Sequence, residues 1–302
     1  MRILVIKLGA LGDFVQAMGP AAAIRAHHPG DEITLLTTAP YADFARGAPY
    51  FDRVLIDERP GLLDLAGWWR LRRMLRQGRF ERVYDLQTSD RSSFYHWLMG
   101  GPPWSGIARG ASLPHRNSGR DRMHTIDRQA EQLRLAGIEK VPLPDLAWAA
   151  RDIGRFALPE RLLLLVPGGA AHRPAKRWPI EKFAALAVLA ARRRLTPVVL
   201  GGAAETSLGA LIAERCASAR DLTGRTGLGE IVALGRIARH AVGNDTGPMH
   251  LIAAAGCPVT VLYSAESDPA LTAPLGARVA ILRRPDLAAL GVEEVAATIA
   301  FG

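Results

Sequence analysis

Apolar positions along this chain fall into two alternating kinds of segment. Short runs of Leu, Ile and Val read as strands buried on both faces, and longer segments with apolar residues three and four apart read as amphipathic helices. In the first half the pattern predicts strands at 2–7, 32–37, 54–56, 82–86 and 105–108, with helices at 14–26, 41–46, 62–77 and 92–99 between them. The stretch 109–122, rich in Gly, Pro, Asn, Ser and Arg, has no period and is expected to be a mobile loop, after which helical spacing resumes at 123–136. The pattern breaks at Val141-Pro142-Leu143-Pro144-Asp145 and then repeats. Strands are expected at 162–166, 198–200, 241–243 and 259–263, and helices at 180–193, 205–217, 230–237 and 249–255. This alternation predicts an α/β protein of two similar domains, 1–150 and 151–302, each with parallel crossovers. Ligands of such sheets lie beyond the carboxyl ends of the strands, so the expected site is a cleft between the halves.

Three strand-end turns carry candidate chemistry. Asn244-Asp245-Thr246-Gly247-Pro248-Met249-His250 joins a short apolar run to a helix, whose first backbone N–H groups and positive dipole end suit a phosphate. The plainer reading is that Asp245 or Thr246 caps that helix. The loop after the first strand of the second half contains Gly168 and Gly169, which permit close backbone approach, and Lys176, a cation able to reach the same strand ends. Glu205, after Gly201-Gly202, is placed to accept ribose hydroxyls or to complement the dipole of its own helix. His250 lies four residues after Thr246, on the same helix face. At the start of the chain, Lys7-Leu8-Gly9-Ala10-Leu11-Gly12-Asp13 forms a further turn before a helix. Its glycine spacing is not that of a dinucleotide fingerprint, and no P-loop is present.

Length and a hydrophobic fraction of 49% allow full cores. The only cysteines, Cys216 and Cys257, sit in apolar contexts, which argues against a disulfide framework and for a reducing compartment. The N-terminal apolar run is interrupted too early for a signal peptide, and no run is long enough to span a bilayer, so the chain is expected in the cytoplasm. The net charge of +9 comes mainly from arginine. Arg70, Arg72, Arg73, Arg76, Arg79 and Arg82 share a segment with Leu65, Trp68, Trp69, Leu71 and Leu75, an amphipathic helix with a basic face. That face is either ordinary solvated surface or a site for an anionic glycolipid or the inner membrane leaflet. No Cys/His cluster has zinc-ligand spacing, and no metal is expected.

Taken in order, the Leu11-Gly12-Asp13 turn, the Tyr84-Asp85-Leu86-Gln87 strand end, Lys176-Arg177-Trp178-Pro179 and Asn244 to His250 resemble the heptosyltransferases of lipopolysaccharide core synthesis, glycosyltransferase family 9. The resemblance spans nearly the whole chain. It implies a GT-B fold, two Rossmann-like domains facing each other across a cleft, with the acceptor on the N-terminal and the nucleotide sugar on the C-terminal half. It further implies an inverting, metal-independent transfer of heptose from ADP-heptose, a substrate rather than a cofactor, to a hydroxyl of the inner core. On that basis Asp13 is the general base, Lys176 contacts phosphates and the acceptor region, and Thr246 with Gly247 holds the diphosphate. Asp245 and His250 belong to the same donor motif, with Gly168, Gly169 and Glu205 beside it. Lys7, Gly12, Arg72 and Arg76 are the expected acceptor contacts. The first loop departs from the family, having Lys7-Leu8-Gly9-Ala10 where a hydroxyl residue and an arginine are common.

Two other functions compete. A nucleotide-sugar epimerase on the same two-domain plan needs the diphosphate turn but no acceptor. A basic nucleic-acid-binding protein accounts for the charge, yet no helix-turn-helix, RRM or KH signature is present, so no nucleic-acid partner is expected.

Overall fold

The structure, a computed structural model, describes residues 1–170 and 172–301. The chain divides into two compact units, Met1–Pro144 and Asp145–Gly302, a few residues ahead of the expected boundary at 150.

In the first unit, strands β1 (Arg2–Ile6), β2 (Glu32–Thr37), β3 (Arg53–Ile56), β4 (Arg82–Asp85), β5 (Trp104–Gly106) and β6 (Leu113–Pro114) form one parallel sheet. Its order is β3-β2-β1-β4-β5-β6. Helices α1 (Leu11–Gln16), α2 (Met18–His27), α3 (Ala39–Arg46), α4 (Leu65–Gln77), α5 (Asp90–Met99) and α6 (Thr125–Arg134) complete it. The second unit has strands β7 (Leu162–Val166), β8 (Thr196–Val199), β9 (Arg220–Asp221), β10 (His240–Asn244), β11 (Val259–Tyr263) and β12 (Val279–Arg283), again all parallel. Their order is β12-β11-β10-β7-β8-β9. Helices α7 (Ile180–Arg192), α8 (Thr206–Arg215), α9 (Leu228–Ile237), α10 (Gly247–Ala254), α11 (Pro269–Thr272) and α12 (Val292–Ala296) accompany them. Counted within its own unit, each sheet has the strand order of the doubly wound dinucleotide-binding fold. The expectation of two Rossmann-like domains therefore holds.

The central strands are rich in apolar residues because helices cover both faces. Every residue of β7, β10 and β11 is buried. On one side of the second sheet Leu163, Leu165 and Val242 pack with Phe183, Leu186 and Trp178. In the first unit Leu4, Ile6 and Val83 meet Leu71, Leu75, Tyr95 and Trp104.

Three expectations need correction. The helix predicted at 14–26 is two helices that meet at Ala17, with Pro20 inside the second. Proline has no N–H for the carbonyl of Gln16, four residues back, and its ring crowds that carbonyl, so a continuous helix is not available there. The stretch 109–122 is anchored rather than free. It contains β6, and the buried His115 ring bonds Glu131 (Nε2 to Oε1, 3.1 Å), which also accepts from Asn117 Nδ2 (2.8 Å). Finally, β6, β9 and β12 were not anticipated as strands.

Two buried titratable groups set opposing pH dependences. Burial drives the His240 imidazole down to about 4, its Nε2 lying 2.8 Å from Thr260 Oγ1. Burial also pushes Asp85 up to about 6, against the opposing pull of bonds from the Thr88 N–H, the Ser92 hydroxyl and the Gln87 N–H. The depressed histidine contributes stability that is present above its unfolded value of about 6.5 and lost as pH falls towards about 4. The raised aspartate does the reverse, contributing stability that is present below about 4 and lost as pH rises through about 6. Asp85→Asn removes the second slope. Urea denaturation at about pH 4.5 and 6.5 should therefore show the variant gaining about 2 kcal/mol more than wild type on going to the higher pH. An unchanged pH slope overturns the assignment.

Candidate functional site

In each sheet the strand order reverses between its two central strands, β1 and β4 in the first unit and β7 and β10 in the second. The loops leaving the carboxyl ends of such a pair diverge and open a crevice for ligand.

At the second switch point, Asn244 ends β10 and is wholly buried. Its Nδ2 donates to the carbonyls of Pro167 (2.8 Å) and Gly168 (3.2 Å), and its Oδ1 accepts from the Trp178 N–H (2.9 Å). One amide thus ties the end of β10 to both ends of the loop after β7. An asparagine suits this position because it donates and accepts through one short side chain. Asp245 follows, and its Oδ2 accepts from Lys176 Nζ at 2.6 Å, with both side chains largely shielded. The loop has brought Lys176 to the strand ends, and the pair fixes its ammonium there. Thr246 is the N-cap residue of α10, yet its side chain makes no capping bond, so the plainer capping reading does not hold for it. Its hydroxyl and the Gly247 N–H lie at the positive end of the helix, where Pro248 has no N–H and the Met249 N–H donates to the Thr246 carbonyl (3.1 Å). His250 is buried in the first turns of α10.

Gly168 and Glu205 meet across this crevice. A Cβ on Gly168 would lie 2.8 Å from Glu205 Cγ, and one on Gly201 2.8 Å from Glu205 Cβ. Glycine at both positions lets the acid lie against the turn. Glu205 Oε2 accepts from the Gly202 N–H at 2.7 Å, so the carboxylate closes its own turn while standing beside Gly168. Gly169 carries its carbonyl towards the Arg177 guanidinium.

The first switch point has a cavity of about 580 Å³ lined by Leu8, Gly9, Thr38, Tyr41, Gln87 and Ser89, with the guanidinium residues Arg59 and Arg91. Gln87 Oε1 accepts the Leu8 N–H (2.9 Å), clamping the turns after β1 and β4 together. Arg91 is held on three sides: its Nε donates to Tyr95 Oη (2.7 Å), its NH2 to the Pro60 carbonyl (2.9 Å), and it stacks over Trp68 at 4.9 Å. The Tyr95 hydroxyl donates to the buried Asp57 carboxylate at 2.5 Å. Asp13 lies in the first turn of α1, half-buried. Its negative charge reaches Lys7 and Tyr41, in each case after burial as the larger influence on the neighbour's ionisation. Gly9, at φ +124°, packs against the Tyr41 ring, where a Cβ would come within 2.8 Å of Cε2.

The structure thus groups Lys176, Gly168, Gly169, Glu205, Asp245, Thr246, Gly247 and His250 around the second switch point. It places Asp13 and Gly12 in the turn beside the first. It does not bring the other expected acceptor contacts to that cavity. Lys7 is buried and donates to the Leu86 carbonyl (3.3 Å), so it ties β1 to the β4 turn. Arg72 and Arg76 lie on the exposed outer face of α4, and Arg76 Nε donates to the Leu98 carbonyl (3.0 Å). The charged residues that do line the cavity, Arg59 and Arg91, carry no periodicity or motif in the sequence. Only the strand topology collects them.

A family model described as glycosyltransferase family 9 (heptosyltransferase) matches residues 68–294. Lipopolysaccharide heptosyltransferase 2 of Escherichia coli (strain K12) is 27% identical over 331 aligned positions, covering 94% of this chain and 88% of its own. The structure of the E. coli ADP-heptose lps heptosyltransferase II matches with a TM-score of 0.82 at 24% identity, covering 99% of this chain and 97% of that one. E. coli heptosyltransferase WaaC with ADP matches at 0.80 and 21% identity, covering 98% of each chain. The shared architecture is GT-B. Because the family match runs through both switch-point turns after β4 and β10 and spans most of the sequence, the chain belongs to glycosyltransferase family 9, the heptosyltransferase family, and is a glycosyltransferase.

Proposed function

We propose that this enzyme transfers a heptose, with inversion, from an ADP-activated donor to a hydroxyl of the lipopolysaccharide inner core. The donor diphosphate binds at the β7/β10 switch point and the acceptor at the β1/β4 cavity. What carries the reading is the convergence on one strand edge of Lys176, the uncapped Thr246 hydroxyl and the N-terminus of α10. These are donors aimed where negative charge grows on a departing diphosphate, and the transfer they support needs no metal. Glu205 and Gly168 lie beside them, where the carboxylate receives ribose hydroxyls.

In the reaction the acceptor hydroxyl attacks the anomeric carbon from the face opposite the diphosphate. Its proton passes to the Asp13 carboxylate as the new glycosidic bond forms, and the bond to the diphosphate oxygen breaks to release ADP. Arg59 and Arg91 present two guanidinium groups to the acceptor cavity, which suits the acidic sugars and phosphates of an inner core. Such a reaction belongs at the cytoplasmic face of the inner membrane, where the donor is soluble and the acceptor is lipid-anchored.

The test is a product assay with ADP-heptose, with and without a core oligosaccharide, read by mass spectrometry and NMR. The expected product is a heptosylated oligosaccharide of inverted anomeric configuration together with ADP. A rearranged sugar nucleotide formed without acceptor marks an epimerase instead, and retained configuration excludes the single displacement.

A further inference from the structure

We propose that the loop before α4, together with the outer faces of α4 and α5, is a docking surface for an anionic lipid bilayer. No helix of the described residues is long and apolar enough to cross a membrane. One surface of the first unit is built unlike the rest. Leu62 and Leu63, at the tip of the loop after β3, are 91% and 94% exposed. Leu65 and Trp69 continue the apolar character down the first turns of α4, and Phe94 and Trp97 present it on α5, with Trp97 70% exposed. The two helices pack side by side, and the Trp68 ring, edge-on to Phe94 at 5.3 Å, bridges them, while Phe94 stacks on Trp97 at 5.3 Å. The result is a connected apolar patch rather than scattered single residues, and connected exposed patches mark interaction sites.

Charge decides the occupant. Along the exposed stripe of α4 the residues change from Leu65 and Trp69 to Arg72, Arg73 and Arg76, so leucine and tryptophan lie towards the carboxyl edge and guanidinium groups behind them. Arg73 lies over the Trp69 ring at 5.4 Å. Of the acidic residues nearby, the Asp64 carboxylate caps α4 through the Gly67 N–H, Glu58 pairs with Arg70, and Asp90 stands in the first turn of α5, where it complements the dipole of its own helix. An apolar tip with tryptophans at its rim and unopposed arginines behind it matches an acyl layer followed by an anionic headgroup layer. A protein partner would need a complementary acidic rim around an apolar groove, whereas a bilayer supplies both layers in the required order.

The placement gives the surface a use. β3 ends at Ile56 and β4 at Asp85, so the loop carrying Leu62 and Leu63 and the start of α5 both lie at the carboxyl edge that holds the acceptor cavity. Arg91 belongs to both, lining the cavity while stacking on Trp68. A lipid-anchored glycan in a bilayer touching the patch rises directly beside Arg59 and Arg91. This use of the surface rests on the proposed glycolipid acceptor, whereas the docking itself rests only on the patch.

The test is flotation with vesicles of phosphatidylcholine alone and of phosphatidylcholine with phosphatidylglycerol at low and high salt, for wild type and for Leu62→Asp with Leu63→Asp. Both positions are exposed, so the double variant should melt as wild type does. Wild type should bind anionic vesicles in a salt-sensitive way and neutral ones weakly, and the variant should lose about tenfold or more of the anionic affinity. Transfer to a soluble core oligosaccharide should stay within about twofold in the variant, while transfer to acceptor embedded in vesicles falls with binding. Failure of wild type to bind anionic vesicles, or equal binding by the variant, overturns the proposal. So does sedimentation showing a dimer that the variant dissolves without any vesicle binding, which assigns the patch to a second copy of the chain. Vesicle binding that depends on Leu62 and Leu63, with no transfer to either acceptor, supports the surface and rejects the proposed acceptor.

Discussion

Asp13→Asn should slow transfer by about 10²- to 10⁴-fold while ADP binds as tightly as before. Asparagine keeps the size and hydrogen-bonding reach of the side chain and removes only its capacity to take a proton. The position favours this separation, because Asp13 lies in the first turn of α1 beside the first switch point, in a different sheet from the diphosphate turn. The competing role is a first-turn acid that complements the dipole of α1, an effect of at most about 1 kcal/mol on stability and none on chemistry. Steady-state kinetics with saturating donor, beside calorimetric titration with ADP, discriminate the two. Activity within a few-fold of wild type reduces Asp13 to a helix residue and leaves the acceptor hydroxyl without its base.

The second large effect is expected at Lys176. Lys176→Ala should weaken ADP by about 30- to 100-fold, or about 2–3 kcal/mol, and leave adenosine nearly unaffected. Part of this loss comes from the partner. Asp245 Oδ2 lies 2.6 Å from the ammonium in a shielded setting, so deleting the lysine leaves a carboxylate facing the diphosphate. Adding Asp245→Asn to Lys176→Ala should therefore recover part of the ADP affinity, a non-additivity that only coupled residues show. Equal losses for ADP and adenosine would mean that the loop after β7 has collapsed rather than lost a phosphate contact.

What the sequence made legible follows from burial. β7 and β11 are wholly buried parallel strands, so Leu162–Val166 stands out as an unbroken apolar run and Val259–Tyr263 as one interrupted only by Thr260. β12 is half-exposed along its length and β9 has only two residues, so neither writes such a run into the chain. The groups at the second switch point are legible because they cluster locally: Asp245, Thr246 and Gly247 are consecutive, and Lys176 follows the glycines of its own loop. The lining of the cavity at the first switch point is not, because Arg59, Gln87 and Arg91 come from loops after different strands and converge only when β3, β1 and β4 are laid in sheet order. The arginine run on α4 is the converse case. Its charges are conspicuous in sequence but face outward from the sheet edge that holds the cavity.

The strand order of the two sheets also bears on how the molecule is made. Each sheet draws all its strands from one uninterrupted stretch of chain, and neither borrows a strand from the other. On the ribosome, β1 through β6 and their covering helices have left the tunnel before β7 is far along, so the first sheet can close and bury its core without waiting for any later residue. Synthesis thus separates two sets of very similar apolar strands in time. Their order of appearance lowers the chance that β1 and β7, both central parallel strands of apolar residues, pair with each other.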